Sequence, residues 1–113
     1  MPSQIVHGDL AGNVLFSDGL PPAIIDFSPF WRPVGYAEAI VVVDALLDHE
    51  EGMEVMMLGR PGGEWVQMLV RALIFRLVAW CGYVEEAKAG VQEGYARSFE
   101  KALVLISDRY EQI

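Results

Sequence analysis

Two carboxylates and one carboxamide near the start of the chain are the residues best suited to chemistry. Asp9, Asn13 and Asp26 fall within the first 26 residues, around one short loop and one β-prone stretch. Phosphoryl transfer needs a metal that neutralises the phosphates and a carboxylate that orients and deprotonates the acceptor hydroxyl. Magnesium prefers oxygen ligands and takes one or two carboxylates from a protein, so Asp26 with the Asn13 carbonyl suffices. Asp9 is then available as the general base.

Short β-prone runs and turn residues are expected to position these three side chains. Residues 14–16 and 23–27 read as strands, and the stretch 17–22 between them contains an Asp-Gly step and two prolines. The sequence therefore predicts a small hairpin with Asp26 at the exit of a buried strand. Residues 28–35 contain Pro29 and Pro33, which predicts a rigid loop without a regular helix.

Three helices are predicted behind the hairpin, from residue 36 to about 49, from about 64 to 82 and from about 84 to 110. Each has apolar positions recurring at intervals of three and four. The first is expected to turn Glu38, Asp44 and Asp48 away from the core, and in the second Arg71 and Arg76 should meet water or a partner. The expected buried positions are Ile40, Val43, Leu46, Leu47, Trp65, Leu69, Ala72, Leu73, Leu77, Trp80, Val84, Ala87, Val91, Tyr95, Phe99, Leu103, Ile106 and Tyr110.

Composition narrows the class of protein. A chain of 113 residues forms one domain at most. Its net charge of −8 opposes nucleic-acid binding, and the apolar runs 39–47 and 73–82 are too short or too charged to predict a membrane span. One cysteine, Cys81, cannot form an internal disulfide and is expected to be buried. Without a signal-peptide pattern, the predicted compartment is the cytoplasm.

The runs 5–16 and 23–27, with His7, Asp9, Asn13 and Asp26 in their apolar frame, resemble the catalytic and metal-binding core of the aminoglycoside phosphotransferase family, whose fold is similar to that of protein kinases. The resemblance implies that Asp9 is the catalytic base and that His7 orders the loop by hydrogen bonding. It also implies that Asn13 and Asp26 bind Mg²⁺ and, through it, ATP. The implied fold is α+β and mostly α, a small hairpin packed on about three helices as in the C-terminal lobe of such a kinase.

Three positions depart from the family pattern. Asn13 lies four residues after Asp9, where the family usually has five, so the loop is one residue shorter. Ser28 replaces the glycine that commonly follows the Asp-Phe pair. The family often has an acidic residue directly after the aromatic residue that begins the next helix, whereas here Ala37 follows Tyr36 and Glu38 comes next. The acidic anchor of the catalytic loop is therefore expected to be displaced or absent.

No candidate for the phosphate-covering loop or phosphate-pairing lysine of an N-terminal lobe is found in the sequence, whose lysines are Lys88 and Lys101. The chain is interpreted as a single partial domain, with the catalytic loop and metal-binding hairpin in 1–35 and a helical subdomain in 36–113. Its parent reaction would transfer the ATP γ-phosphate to a small-molecule hydroxyl, and the chain alone is expected to be inactive. The alternative is a non-catalytic, pseudokinase-like module. Apolar surface left uncovered predicts self-association.

Two groups of residues allow more than one interpretation. Trp31 and Arg32 either line an acceptor pocket or pack the loop onto the helices. The acidic cluster is interpreted as a solvated helix face rather than as a surface that attracts a cationic acceptor. Its members are Asp44, Asp48, Glu50, Glu51 and Glu54.

Overall fold

A computed structural model describes residues 2–48, 52–59, 63–87 and 93–111. In these residues four short strands form two separate antiparallel sheets. Strand β1 (Gln4–His7) pairs with β4 (Pro29–Arg32), so that His7 lies opposite Pro29. Strand β2 (Val14–Ser17) pairs with β3 (Leu20–Ile24), and Val14 lies opposite Ile24. The two sheets bracket the loop between β1 and β2, which carries Asp9 and Asn13.

The predicted hairpin is confirmed, with two corrections. Its turn is tighter than expected, because β3 begins at Leu20 directly after Gly19, whose φ is 76°. The strand was expected to be buried and to reach residue 27, but it ends at Ile24 and all five of its residues are exposed. Asp26 lies beyond the strand with a φ of 48°, a left-handed conformation that aspartate tolerates better than most residues.

The stretch 28–35 is not only a rigid loop. Its prolines exclude a helix up to Pro33, but Pro29 opens strand β4, a position that a sheet accepts at the start of a strand or at its edge. Trp31 is 62% exposed, so this side chain does not pack the stretch onto the helices. Neighbouring Arg32 is also exposed.

The described part of the chain contains four helices, where about three were expected. They are α1 (Val34–Asp48), α2 (Met53–Met56), α3 (Gly63–Ala87) and α4 (Glu93–Glu111). Val84 and Ala87 belong to the end of α3 and not to the last helix. The predictions for His49, Glu50, Glu51 and Val91 lie outside the described residues, and so does the expected burial of Val84, Ala87 and Tyr95. The chain is a compact, mostly helical α+β fold.

The core lies between α1, α3 and α4. Most positions expected to be buried are buried, among them Ile40, Leu46, Leu69 and Ile106. Exposed positions that were expected to be buried are Leu77 at 40%, Leu103 at 58% and Tyr110 at 67%. Cys81 is also exposed. The apolar stripes of α3 and α4 are therefore wider than the part of each helix that the core covers.

One segment of α3, Gly63–Gly82, meets the length and composition criteria of a membrane-spanning helix, with a mean hydropathy of 1.4. A core helix of a globular protein meets the same criteria, and a third of the window, 33%, is buried in this fold. Trp65, Leu69 and Ala72 of this segment are core residues.

Candidate functional site

His7 connects the loop after β1 to the end of the hairpin. Its Nδ1 accepts a hydrogen bond from the backbone N–H of Asp9 at 3.0 Å. Since Nδ1 accepts, the neutral ring carries its proton on Nε2, which lies 3.2 Å from the carbonyl oxygen of Ile25 and can donate to it. The ring also packs edge-on against Phe27, with centroids 5.3 Å apart. One side chain, His7, therefore contacts both the backbone N–H of Asp9 and the backbone carbonyl of Ile25, the residue before Asp26.

The loop of four residues from Leu10 to Asn13 closes as a tight turn. The backbone N–H of Asn13 donates to the carbonyl oxygen of Leu10 at 2.9 Å, and Gly12 has a φ of 81°. A positive φ at the third turn position requires a residue such as glycine. The Asn13 amide nitrogen donates to the Asp9 carbonyl oxygen at 2.7 Å. The four-residue spacing between Asp9 and Asn13 is therefore accommodated by a turn with glycine at its third position. The Asn13 side chain faces back toward Asp9.

Asn13 and Asp26 lie at the open end of the same hairpin. The carbonyl oxygen of Asn13 accepts a hydrogen bond from the backbone N–H of Ile25 at 2.9 Å, one residue before Asp26. The backbone N–H of Gly8 donates to the carbonyl oxygen of Ser28 at 2.8 Å, two residues after Asp26. Hydrogen bonds on both sides of Asp26 therefore join the hairpin to the loop that carries Asp9.

The fit of this end of the hairpin to Mg²⁺ can be tested from the available atoms. Asn13 uses its amide nitrogen in a hydrogen bond, which leaves its Oδ1 as an acceptor. Asp26 is exposed and adds a carboxylate. The described residues contain no group of three His, Cys, Asp or Glu side chains, but Mg²⁺ commonly takes one or two protein carboxylates and keeps several waters. The donor types present are ones that Mg²⁺ accepts, and the Asn13 Oδ1 and the Asp26 carboxylate are the atoms that would hold it.

A contact that the sequence did not reveal joins Asp9 to the helical core. Arg76 of α3 donates from Nη2 to Asp9 Oδ1 at 2.8 Å, and its Nε and Nη2 each donate to the Asp44 carboxylate at 2.7 Å. The Asp9 side chain is 48% exposed, whereas the Arg76 and Asp44 side chains are 18% and 6% exposed. Arg76 therefore bridges a half-exposed loop carboxylate and a buried helix carboxylate.

This bridge corrects two expectations. Asp44 was assigned to a solvated face, but it is buried between α1 and α3. Arg76 was expected to meet water or a partner, but it pairs with two aspartates of its own chain. The contacts join residues 32 and 67 positions apart, so no local spacing could have indicated them. A sequence signal did exist, because an arginine and an aspartate within otherwise apolar helices require partners once they are buried.

Burial and ion pairing act in opposite directions on the pKa values of Asp44 and Arg76. It raises the pKa of the Asp44 carboxyl, while the hydrogen bonds and charge of Arg76 oppose the rise. Burial acts to lower the pKa of the Arg76 guanidinium, but Asp44 and Asp9 together raise it above its usual value. The guanidinium is therefore charged at neutral pH. Its positive charge offsets part of the desolvation cost of burying the Asp44 carboxylate in the core.

Gly8 provides a test of how tightly the loop is held. A Cβ at this position would lie 2.7 Å from the Phe30 ring, which also packs edge-on against Phe75 of α3. Gly8→Ala is expected to lower the free energy of unfolding by about 1 to 3 kcal/mol, because the ring must move. Chemical denaturation measures the change. Gly63→Ala is the control, since its Cβ would meet nothing within 4 Å; equal losses in both variants would contradict the prediction.

Large apolar side chains are exposed on both sheets, next to the site. The exposed fractions are 79% for Phe16, 62% for Ile24 and 58% for Phe27 on the hairpin side, and 60% for Ile5 beside Trp31 on the other sheet. Singly exposed apolar residues are normal on a protein surface, but a group of this size on so small a sheet region is typical of a surface that contacts something.

Comparisons with known proteins find no relative of this chain. No protein-family model, curated protein or solved structure matches the chain. The resemblance to aminoglycoside phosphotransferases therefore rests on the residues of the loop and hairpin themselves and stays a prediction.

Proposed function

We propose that this chain carries the catalytic loop and the magnesium site of an aminoglycoside-phosphotransferase-like kinase. Asp9 acts as the base toward a small-molecule hydroxyl, Asn13 and Asp26 hold Mg²⁺, and His7 orders the loop. The metal, when bound, neutralises the charge of the ATP phosphates. In this interpretation the fold corresponds to part of a C-terminal lobe, and the compartment is the cytoplasm.

The observation that carries the proposal is the hydrogen bonding of His7. One ring holds the backbone N–H of Asp9 on one side and the carbonyl oxygen of Ile25 on the other. If the polar residues of the hairpin only capped turns, no side chain would be needed to hold the backbone of Asp9 and the backbone of Ile25, the residue before Asp26, at the same time. Holding reacting groups in a fixed relative position is what phosphoryl transfer requires of a protein.

Calorimetry of the full chain with Mg-ATP tests the proposal. Saturable binding is expected, and Asp26→Asn should weaken it by at least about tenfold, because the substitution removes a charged metal ligand. Asp18→Asn is the matched control, since Asp18 is an exposed acid in the turn at the opposite end of the same hairpin. Absence of heat at millimolar nucleotide would overturn the proposal, as would equal weakening by both substitutions.

A second function, a non-catalytic pseudokinase-like module, has an observation of its own. The Asp9 carboxylate accepts a hydrogen bond from Arg76, an arrangement that also serves as a purely structural link between loop and core. In that case Asp9→Asn lowers stability and no nucleotide binds. In the phosphotransferase case Asp9→Asn leaves Mg-ATP binding in place, because Asp9 is the base and not a metal ligand, and calorimetry with Mg-ATP distinguishes the two cases.

The exposed apolar side chains of the two sheets give a separate prediction of self-association. Sedimentation velocity over a range of protein concentrations is expected to show a species larger than the 12.6 kDa chain. Phe16→Ser should reduce that species, since Phe16 is 79% exposed and supports little of the fold. Val104→Ser on α4, where the side chain is 58% exposed, is the control. A monomer at all concentrations would contradict the prediction.

A further inference from the structure

The Asp9 carboxylate is held through one of its two oxygens. Arg76 donates from Nη2 to Asp9 Oδ1 at 2.8 Å, and the described part of the chain gives this carboxylate no other hydrogen-bond donor. The Asp9 side chain is also 48% exposed, so it can be reached from solvent. Oδ2 is therefore the oxygen that is left for a hydroxyl group.

Arg76 is itself held by the helical core. Its Nε and Nη2 donate to the two carboxylate oxygens of Asp44, each at 2.7 Å, and a pair of such bonds fixes the plane of a guanidinium. The guanidinium carbon also lies 5.2 Å from the centroid of the Phe75 ring, which packs edge-on against Phe30. The direction of Nη2 is therefore set by α1 and α3 and not by the loop.

The backbone and the side chain of Asp9 are held by different residues. The backbone N–H donates to His7 Nδ1 at 3.0 Å, and the carbonyl oxygen accepts from the Asn13 amide at 2.7 Å. These bonds fix the backbone but leave rotation about the Cα–Cβ bond free. The bond from Arg76 restricts that rotation, which matters because a general base must be placed accurately relative to the proton it takes.

We infer that Arg76 is a positioning residue for Asp9: it fixes Oδ1 against the helical core, so that Oδ2 faces the acceptor hydroxyl. The inference rests on the proposed function. In the transfer, the hydroxyl oxygen forms a bond to the γ-phosphorus, the bond from that phosphorus to the bridging oxygen of ADP breaks, and Oδ2 takes the hydroxyl proton. Arg76 acts through Asp9 and takes no part in the proton transfer.

NMR of the full chain without nucleotide tests the inference. The Hα–Hβ couplings of Asp9 report whether its side chain occupies one rotamer, and one rotamer is expected in the parent. Arg76→Met/Asp44→Asn removes the bridge together with the buried charge, so the fold should be kept while the Asp9 couplings move to averaged values. Arg76→Gln/Asp44→Asn serves if the first double variant does not fold.

Hydrogen exchange separates positioning from a general role in stability. In the double variant the backbone amides of Asp9 and Asn13 should exchange at least about threefold faster, because the loop has lost a charged hydrogen bond. A role in stability alone would instead speed the exchange of a core amide such as that of Leu46 and leave the loop amides unchanged. Arg71→Met, at an exposed arginine of the same helix, is the matched control and should change neither the couplings nor the loop exchange.

Three results would overturn the inference: averaged Asp9 couplings in the parent, one Asp9 rotamer retained in the double variant, or equal changes in Arg71→Met. Because these measurements contain no nucleotide, their failure and the failure of Mg-ATP binding are separate outcomes. A fixed Asp9 in a chain that binds no Mg-ATP would overturn the proposed function but not the hold of Arg76 on Asp9. A mobile Asp9 in a chain that binds Mg-ATP would do the reverse.

Discussion

Replacing Arg76 by methionine is expected to lower the free energy of unfolding by about 3 kcal/mol at neutral pH, because it leaves the Asp44 carboxylate buried without its partner. The Asp44 side chain is only 6% exposed and accepts two hydrogen bonds from Arg76. Methionine keeps much of the length of the arginine stem, so lost charge rather than lost packing dominates. Chemical denaturation followed by circular dichroism measures the effect.

Two controls separate the ion pair from a general effect on α3. Arg71→Met removes an exposed arginine of the same helix and should change stability by no more than about 0.5 kcal/mol. Asp44→Asn added to Arg76→Met should recover much of the loss, since the buried charge is then gone. A double variant as unstable as Arg76→Met, or an Arg71→Met effect of equal size, would contradict this account of the bridge.

The cost of Arg76→Met should also depend on pH. Without Arg76, burial raises the pKa of Asp44 further, because both causes that lower it have been removed. The folded variant then keeps the Asp44 proton at a pH where the unfolded chain, with an aspartate pKa of about 3.9, has released it. The contribution of Asp44 to the stability of the variant is fully present below that pH and is lost as pH rises through the folded-state pKa. The difference in free energy of unfolding between the parent and Arg76→Met should therefore increase from about pH 4 to neutral pH. A difference that does not change with pH would contradict this mechanism.

Trp65→Ala is expected to have the largest effect of all, a loss of about 3 to 5 kcal/mol. The side chain is 3% exposed, donates to the Met56 carbonyl oxygen and fills the space directly under Gly59. Its removal leaves a buried carbonyl without a donor and a void between α1, α2 and α3. Thermal and chemical denaturation measure the loss of stability.

Trp31→Ala is the matched control for Trp65→Ala. Trp31 has the same side chain but is 62% exposed on β4, where it lies opposite Ile5. Its loss should cost less than about 1 kcal/mol, the size of a cross-strand contact. Similar costs for the two tryptophans would mean that burial does not govern the stability of this region.

The comparison of Trp65 and Trp31 also shows what sequence patterns can and cannot decide. Trp65 lies on a stripe of helical period together with Leu69 and Ala72, and that stripe was predicted to be core and is core. Trp31 lies between two prolines, where neither helical nor strand periodicity is readable, and two interpretations remained. Pairing with β1, some 25 residues earlier, made that stretch a strand.

Asp44 and Arg76 show the same limit for charged residues. Helical periodicity correctly gave Ile40, Val43 and Leu46 as buried, but it assigned Asp44 to water because an unpaired carboxylate in a core is costly. Only the packing of α1 against α3 brings the guanidinium to it. Arg76 then ties the loop residue Asp9 to Asp44 of α1.

The sequence by itself determined the parts of this protein whose information is local: the hairpin and the helical segments with most of their buried positions. The chemistry suggested by His7, Asp9, Asn13 and Asp26 stays a prediction. The tertiary structure alone decided the pairing of β1 with β4, the burial of Asp44 and the Arg76 bridge to Asp9. The physical reason is distance along the chain. Turn residues and periodicity act over a few positions, whereas burial and ion pairing depend on which distant elements meet and on what solvent they exclude.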